Sequence, residues 1–144
     1  MAGGRSEVCH GVGVSGGGRY RISSGGPWEV TAGYSRAIVV GDACWVAGTT
    51  DAGPDGRSLH PDDAGAQARA ALAIIERALG EGGFTLDDVV RTRMFVTDIG
   101  DSALVSAAHG EVFRSTRPAA TLVAVAALMD PSLLVEIEAE ARRG

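Results

Sequence analysis

The feature that most constrains the fold is a strict two-residue alternation near the end of the 144-residue chain. Apolar side chains alternate there with mostly acidic ones: Leu133, Val135, Ile137 and Ala139 against Leu134, Glu136, Glu138 and Glu140. Successive side chains of a β-strand point to opposite faces, so this period places three carboxylates together. Leu, Glu and Ala favour helix, but a helix would scatter the acids around its surface. The pattern therefore predicts a final strand with one apolar and one acidic face.

Hydrophobic periodicity and turn residues predict seven elements before this strand. The strands are a weak one at Arg19–Ser24, a hairpin in Ala37–Gly48 around Gly41-Asp42, one at Val89–Thr97, and the apolar run that follows Arg117. "SGGPW" is expected to turn the chain after the first strand. One helix begins at Pro61–Asp63 and ends at Gly80–Gly83; its apolar face is Ala68, Ala71, Leu72, Ile75 and Leu79. The other runs from Asp101 or Ser102 to about Phe113, with Leu104, Val105, Ala108 and Val112 on one face.

The resulting order, β-β-β-α-β-α-β-β, predicts an α+β sandwich in which both helices lie on one face of the sheet. Residues 19–144 form its single domain, and residues 1–18, which are rich in glycine, are expected to be a flexible tail. Strand 89–97 should point Val90, Thr92, Met94 and Val96 one way. Several strands are apolar on both faces, so we expect a second subunit to cover the face without helices.

Composition and charge exclude several classes of function. The net charge is -5 with no basic stripe, and aromatic residues make up 5% of the chain, which argues against nucleic acid as a partner. No apolar run could span a membrane and no secretory signal is visible, so a cytoplasmic location is expected. No metal-ligand spacing occurs. "GVGVSG" at residues 11–16 matches a dinucleotide-binding pattern but lacks the strand and helix it requires, so no cofactor is predicted.

Charges on predicted sheet strands are the best candidates for chemistry, because an unpaired buried charge is costly. Arg93 lies in mid-strand, Arg117 lies at the start of a strand, and Glu136 and Glu138 share one face. Arg93 could pair with one of these acids and hold subunits together. Alternatively, an arginine could clamp a substrate carboxylate while a glutamate orients water. Tyr34 is either a packing residue or a pocket wall with a polar tip.

Three segments together resemble the Rid or YjgF-like family of reactive-intermediate deaminases. They are "GYSRAIVVGDACWVAGTT", "QARAALAIIERALGEGGFTLDDVVRTRMFVTDI" and "RPAATLVAVAALMDPSLLVEIEAEA". The resemblance implies a chorismate-mutase-like fold with paired C-terminal strands. It also implies a homotrimer with an inner barrel and pockets between subunits. Well-studied members hydrolyse enamines and imines of the 2-aminoacrylate type to 2-oxo acids and ammonia, without metal or organic cofactor.

The resemblance also assigns roles to particular residues. Glu136 matches the family glutamate that helps position water. Tyr34 matches the family tyrosine, and Gly48 matches the glycine of the hairpin. Ala47 stands where deaminating members of the family often have a serine. The arginine that binds the substrate carboxylate falls on Ala120, so that clamp is absent. Two other arginines are candidates to replace it: Arg93, on a neighbouring element, and Arg117, which lies about 10 Å along the strand and on its opposite face.

The sequence therefore predicts a trimeric Rid-like protein that hydrolyses or deaminates a small imine or enamine-type metabolite other than 2-aminoacrylate. Glu136 would act as general base or orient water, and backbone groups near Ala120 and Thr121 would take up developing charge. Two alternatives stay open. One is a trimer that binds a metabolite or a protein without catalysis. The other is a specialised enzyme that acts on an unstable intermediate of secondary metabolism.

Overall fold

The computed structural model describes residues 18–144, so the predictions for residues 1–17 lie outside the described residues. Six strands are present: β1 (Arg19–Ile22), β2 (Ala37–Val40), β3 (Ala43–Thr49), β4 (Val89–Val96), β5 (Ala119–Ala124) and β6 (Val135–Arg142). Three α-helices accompany them: α1 (Trp28–Ala32), α2 (Ala64–Glu81) and α3 (Ser102–Phe113). The predicted α+β class and the order of the eight predicted elements are confirmed, and α1 is an addition.

The strands form one mixed sheet in the order β1-β2-β3-β6-β4-β5, with helices packed on one face. Every neighbouring pair is antiparallel except β4 and β5, which run parallel and are joined through α3. The expectation that β5 and β6 pair is wrong, because β6 inserts between β3 and β4. A parallel pair needs a long crossover, whereas an antiparallel strand can enter from a short loop. The two C-terminal strands are therefore separated by β4, about 10 Å centre to centre.

Helix α2 supplies the main apolar layer. The five residues predicted for its inner face are all buried: Ala68, Ala71, Leu72, Ile75 and Leu79. The helix starts later than predicted, at Ala64. Asp63 is its N-cap and accepts a hydrogen bond from the Ala66 amide at 2.9 Å, satisfying a donor that the first turn leaves free. Pro61 and Asp62 precede the helix, and Asp62 has a positive φ of 63°.

The two faces of β6 differ as the alternation predicts. Val135, Ile137 and Ala139 are buried against the helices, while Glu136, Glu138 and Glu140 lie partly exposed on the open face. Strand β4 follows the same alternation, with Thr92, Met94 and Val96 buried.

Two residues predicted to face the core are exposed. Val90 is exposed because the β4–β6 register shifts between Val89 and Arg91, which turns its side chain away from the core. Leu104 on α3 is 55% exposed, because Val105 and Ala108 are the residues of this helix that enter the buried core.

Helix α1 occupies the segment that the sequence indicated as a simple turn. Pro27 has a φ of -65°, which pre-organises the first turn, and Gly33 ends the helix with a left-handed φ of 72°. Five residues are too few for a hydrophobic period to show. The helix matters for the site because it fixes Glu29 and the segment leading into β2.

The open face of the sheet has no helix across it within residues 18–144. Trp45 is 43% exposed there, and Val40 and Val123 are similarly exposed. Coverage of this face by a second subunit remains a prediction. None of the helices in the described part of the chain is long and apolar enough to cross a membrane.

Candidate functional site

The carboxylate of Glu136 lies directly over Gly48. A Cβ placed on Gly48 would overlap Glu136 Oε1 and would lie 3.0 Å from Cδ and 3.3 Å from Cγ of the same side chain. Glycine is therefore required at this position by space, not by backbone conformation. Across β6 from Gly48, Phe95 of β4 is the partner of Glu136 in register and lies on the same face of the sheet. Glu136 therefore lies in one row between the bare backbone of Gly48 and Phe95.

A β-bulge brings Gly48 to this place. The β3–β6 register runs from Val46 opposite Ala139 to Thr49 opposite Ile137, so Ala47 and Gly48 together oppose Glu138. A bulge of this kind bends the strand and redirects its side chains, and bulges are frequent next to active sites.

Burial raises the pKa of the Glu136 carboxyl; the positive charge of Arg36 opposes the rise, and the nearby Glu138 adds to it. Within residues 18–144 no hydrogen bond reaches the Glu136 carboxylate, so none stabilises its charged form. A raised pKa makes the carboxylate a stronger proton acceptor than an exposed glutamate, which favours general acid–base chemistry.

Arg36 is the cation beside this carboxylate. Its Nη2 donates a hydrogen bond to the carbonyl oxygen of Gly48, and its guanidinium carbon lies 6.0 Å from the centre of the Tyr34 ring. Burial lowers the pKa of Arg36, while the charges of Tyr34, Glu29 and Glu136 oppose that effect. Its Nε is buried without a hydrogen-bond partner in the described part of the chain.

Glu29 fixes the segment that carries Arg36. Its buried carboxylate accepts hydrogen bonds from the Arg36 amide at 3.1 Å and the Gly26 amide at 2.9 Å, and from backbone and hydroxyl groups of Ser23 and Ser24. Burial raises the pKa of Glu29, but these hydrogen bonds outweigh it and leave the pKa below its ordinary value. The chain between α1 and β2 is therefore tied at its backbone.

Arg93 is paired with two acids of the neighbouring strand. Its Nη1 lies 3.1 Å from Glu138 Oε1 and 3.1 Å from Glu140 Oε1. The structure thus realises the pairing that was considered for this arginine, although within one chain and not with Glu136. The two hydrogen bonds raise the pKa of Arg93, with burial opposing. Its charge is matched by carboxylates of its own sheet.

A depression of about 1000 Å³ lies on the open face beside the Glu136–Gly48 contact. Tyr34, Ala47, Arg93, Trp45 and Glu138 are among the residues in its wall. Arg36, Gly48 and Glu136 are not in that wall, but Ser35, Ala47 and Glu138, which lie one or two residues from them along the chain, are in it. Of the residues predicted from the sequence, Tyr34, Ala47, Gly48, Arg93 and Glu136 thus belong to one region.

Three predicted residues lie apart from Glu136 in the single chain. Ala120 is in register with Thr92, whose side chain is buried on the helix face, so Ala120 and Glu136 point to opposite faces. Thr121 is on the open face and accepts a hydrogen bond from Arg91 Nη2 at 2.7 Å. Arg117 precedes β5 with a φ of 48° and lines a separate depression near the end of α3.

Arg36, Glu29 and Phe95 escaped prediction from the sequence. A signal existed for Arg36, because it is a cation placed directly before the apolar run of β2 and two residues after Tyr34. Glu29 follows a Ser- and Gly-rich stretch that supplies donors, but only the unforeseen helix α1 brings it back onto them. Phe95 becomes a neighbour of Glu136 only through the β4–β6 register. No group of three or more metal-ligating side chains occurs within residues 18–144.

Comparison with known proteins places this geometry in a family. The family model described as Endoribonuclease L-PSP matches residues 27–143. The crystal structure of Rv2704 from Mycobacterium tuberculosis, described as a member of the YjgF/YER057c/UK114 family, is 48% identical with a TM-score of 0.80 and covers 88% of this chain and 100% of that one. The YjgF gene product of E. coli is 30% identical with a TM-score of 0.70, covering 86% and 94%.

Curated sequences agree with the structural comparison. A RutC family protein of Pyrococcus abyssi is 32% identical over 106 residues, which are 74% of this chain and 83% of that protein. The chain therefore belongs to the YjgF/RutC/Rid family, and the resemblance noted in the sequence is confirmed. The fold expected from it, a chorismate-mutase-like sheet with helices on one face, is confirmed as well.

Proposed function

We propose that this protein is a trimeric, cofactor-free enzyme that hydrolyses or deaminates a small imine or enamine-type metabolite. The observation that carries the proposal is the placement of Glu136. Its carboxylate lies over a glycine that leaves it room, in register with Phe95 on the next strand, with a raised pKa and the cation Arg36 nearby. Buried carboxyls with raised pKa values at the edge of a depression are typical of acid–base sites.

The chemistry follows from that placement. Glu136, as carboxylate, takes a proton from a water while the water oxygen bonds to the carbon of the C=N group, and it passes that proton to the nitrogen, which gives a carbinolamine. Glu136 then takes the hydroxyl proton of the carbinolamine and delivers it to the nitrogen as the C–N bond breaks. The products are ammonia and a carbonyl compound, and Glu136 is again a carboxylate. The raised pKa of Glu136 favours its service as proton acceptor and donor in both steps.

A second copy of the chain would complete the cleft. Ala120 does not share a face with Glu136 within one chain, and Thr121 is separated from Glu136 by β4. Groups of β5 could reach Glu136 only from a neighbouring subunit, in which backbone groups near Ala120 and Thr121 would face the developing charge. The apolar residues exposed on the open face support such an assembly. Tyr34 and Ala47, which line the depression, would contact the substrate.

The alanine at position 120 limits which substrates the cleft can bind. Alanine supplies no guanidinium, so a substrate held at this position by its carboxylate would lose its clamp. We infer that the substrate is a metabolite other than 2-aminoacrylate, which includes an unstable intermediate of a specialised pathway. The missing arginine also favours a second candidate, a trimer that binds a metabolite or a protein without catalysis. The name of the matching family model suggests RNA cleavage, but the net charge of -5 does not favour a polyanionic substrate.

The test is hydrolysis of a panel of enzymatically generated imines and enamines, with release of ammonia as the readout. Glu136→Gln should lower the rate by about 100-fold or more, in the range of general acid–base catalysis. Glu76→Gln is the matched control, because it removes an exposed carboxylate from α2, which lies on the other face of the sheet from the depression. An unchanged rate in Glu136→Gln would refute the catalytic role. Absence of turnover across the panel, together with saturable binding of products, would favour the non-catalytic trimer.

A further inference from the structure

We propose that Arg36 is the substrate-binding cation of this site and that it selects for ligands bearing a carboxylate. The proposal rests on the proposed function, because it assigns the recognition group of the same cleft. It departs from the two arginines that the sequence indicated, Arg93 and Arg117. Arg36 differs from those two arginines in its proximity to Glu136 and in the number of N–H donors that it has left for a ligand.

Arg36 is tied to the Glu136 region by a direct contact. Its Nη2 donates to the carbonyl of Gly48, the residue over which the Glu136 carboxylate lies. Its backbone is fixed as well, since its amide donates to Glu29 at 3.1 Å. A cation held at both its backbone and its head is pre-organised, so little conformational entropy is lost when a ligand binds.

Most donors of Arg36 remain unused. A guanidinium has five N–H donors, and within residues 18–144 only Nη2 of Arg36 makes a hydrogen bond from the side chain. Nη1 forms none and is not among the buried unpartnered atoms, so it reaches solvent. Nη1 and the second N–H of Nη2 form the planar fork that fits a carboxylate with two parallel hydrogen bonds.

Charge balance distinguishes Arg36 from its competitors. Arg93 already bonds two carboxylates, Glu138 and Glu140, and a ligand would have to displace them. Arg117 lines another depression, near the end of α3. Arg36 is the one of the three that lies beside Glu136 and, within residues 18–144, bonds no carboxylate through its side chain. An incoming carboxylate would therefore have no acid to displace from Arg36.

The position of Arg36 also defines how a ligand would lie. Arg36 reaches Glu136 from the β3 side, across Gly48, whereas Ala120 belongs to β5, two strands away on the other side. A substrate held by Arg36 would point its carboxylate toward β3 and its C=N group toward Phe95 and the depression. The cleft would thus accept a carboxylate-bearing imine in an orientation different from one anchored on β5.

The proposal is tested by binding, independently of turnover. The full-length protein is titrated with 2-oxobutyrate and with its neutral amide, and the side-chain Nε–H signals of its arginines are followed by NMR. Binding of 2-oxobutyrate should shift the Arg36 signal and be about tenfold or more tighter than binding of the amide, since a charge-assisted fork contributes at least that factor. An equal affinity for both, or no shift of the Arg36 signal, would overturn the proposal.

Variants separate Arg36 from general positive charge. Arg36→Met should abolish the preference for 2-oxobutyrate, and Arg36→Lys should retain part of it, because lysine keeps the charge and loses the fork. Arg114→Met removes the same charge from the α3 surface and should leave the preference intact. Should Arg36→Met fail to fold, Arg36→Lys and the unmodified protein still decide. If the protein binds carboxylates through Arg36 but hydrolyses nothing, the proposed enzymatic function is refuted and the role of Arg36 stands. If it hydrolyses imines without preferring carboxylates, only the role of Arg36 is refuted.

Discussion

Replacing Gly48 by alanine is the sharpest perturbation that the site offers. The new Cβ would overlap Glu136 Oε1, and because real Cβ atoms stay at least about 3.0 Å from their neighbours, the carboxylate must move by roughly 1 Å. A displacement of about 1 Å of a catalytic group can lower a rate by about 100-fold. The cost in stability should be at most about 1–3 kcal/mol, because the displaced atoms are the flexible end of a side chain.

The matched control is Gly80→Ala, since a Cβ at this exposed position of α2 meets nothing within 4 Å. That change should stabilise the fold by about 1 kcal/mol through helix propensity and leave the rate unchanged. Both variants are compared by denaturant unfolding and by imine hydrolysis at one pH. If Gly48→Ala hydrolysed as fast as the unmodified protein while folding normally, the position of the Glu136 carboxylate would not matter and the reasoning would be wrong.

Three further predictions concern titratable groups. Because the pKa of Glu136 is raised, ionisation of this carboxyl above pH 4.5 opposes folding. Glu136→Gln should therefore increase the free energy of unfolding at pH 7.5, an advantage that vanishes below pH 4, whereas Glu76→Gln on the exposed surface of α2 should give no such gain. Glu29→Gln should lower the free energy of unfolding by about 1–3 kcal/mol at neutral pH, because the hydrogen bonds to the ionised carboxylate are weakened. The loss should become smaller as the pH falls through the lowered pKa of Glu29. An unchanged urea midpoint would contradict the anchoring role of Glu29. Burial raises the pKa of Cys44 to about 11, so mass spectrometry should find its peptide unalkylated after treatment of the native protein with iodoacetamide at pH 8. Rapid native labelling would show that Cys44 is accessible.

The elements of the fold were predictable where one face is buried over many residues. In β6 and in α2, one face of the element is buried along its whole length. The apolar residues therefore recur with the period of the element, every two residues in β6 and every three or four in α2, and the sequence shows this period directly. Helix α1 and the bulges at Val90 and Gly48 involve one to five residues, which is too short for a period to appear. Their conformations depend on neighbouring strands and on caps such as Gly33.

The residues of the site were likewise predictable only in part. Glu136 and Gly48 were identifiable through the resemblance to a family, and the structure brings them into contact. Arg36 and Phe95 become neighbours of Glu136 only because β6 lies between β3 and β4 in the sheet and pairs with both of them in a particular register. Such long-range pairing leaves no local pattern. The sequence instead drew attention to Arg93, whose charge the structure shows to be matched by Glu138 and Glu140.

The pH dependence of kcat/KM for imine hydrolysis tests the central claim most directly. If Glu136 is the acid–base group, the acidic limb of the profile should have its midpoint above 4.5, the ordinary value for a glutamate, because burial raises the pKa. That limb should disappear in Glu136→Gln and persist in Glu76→Gln. A limb that remained in Glu136→Gln with the same midpoint would contradict the account, because another group would then be titrating.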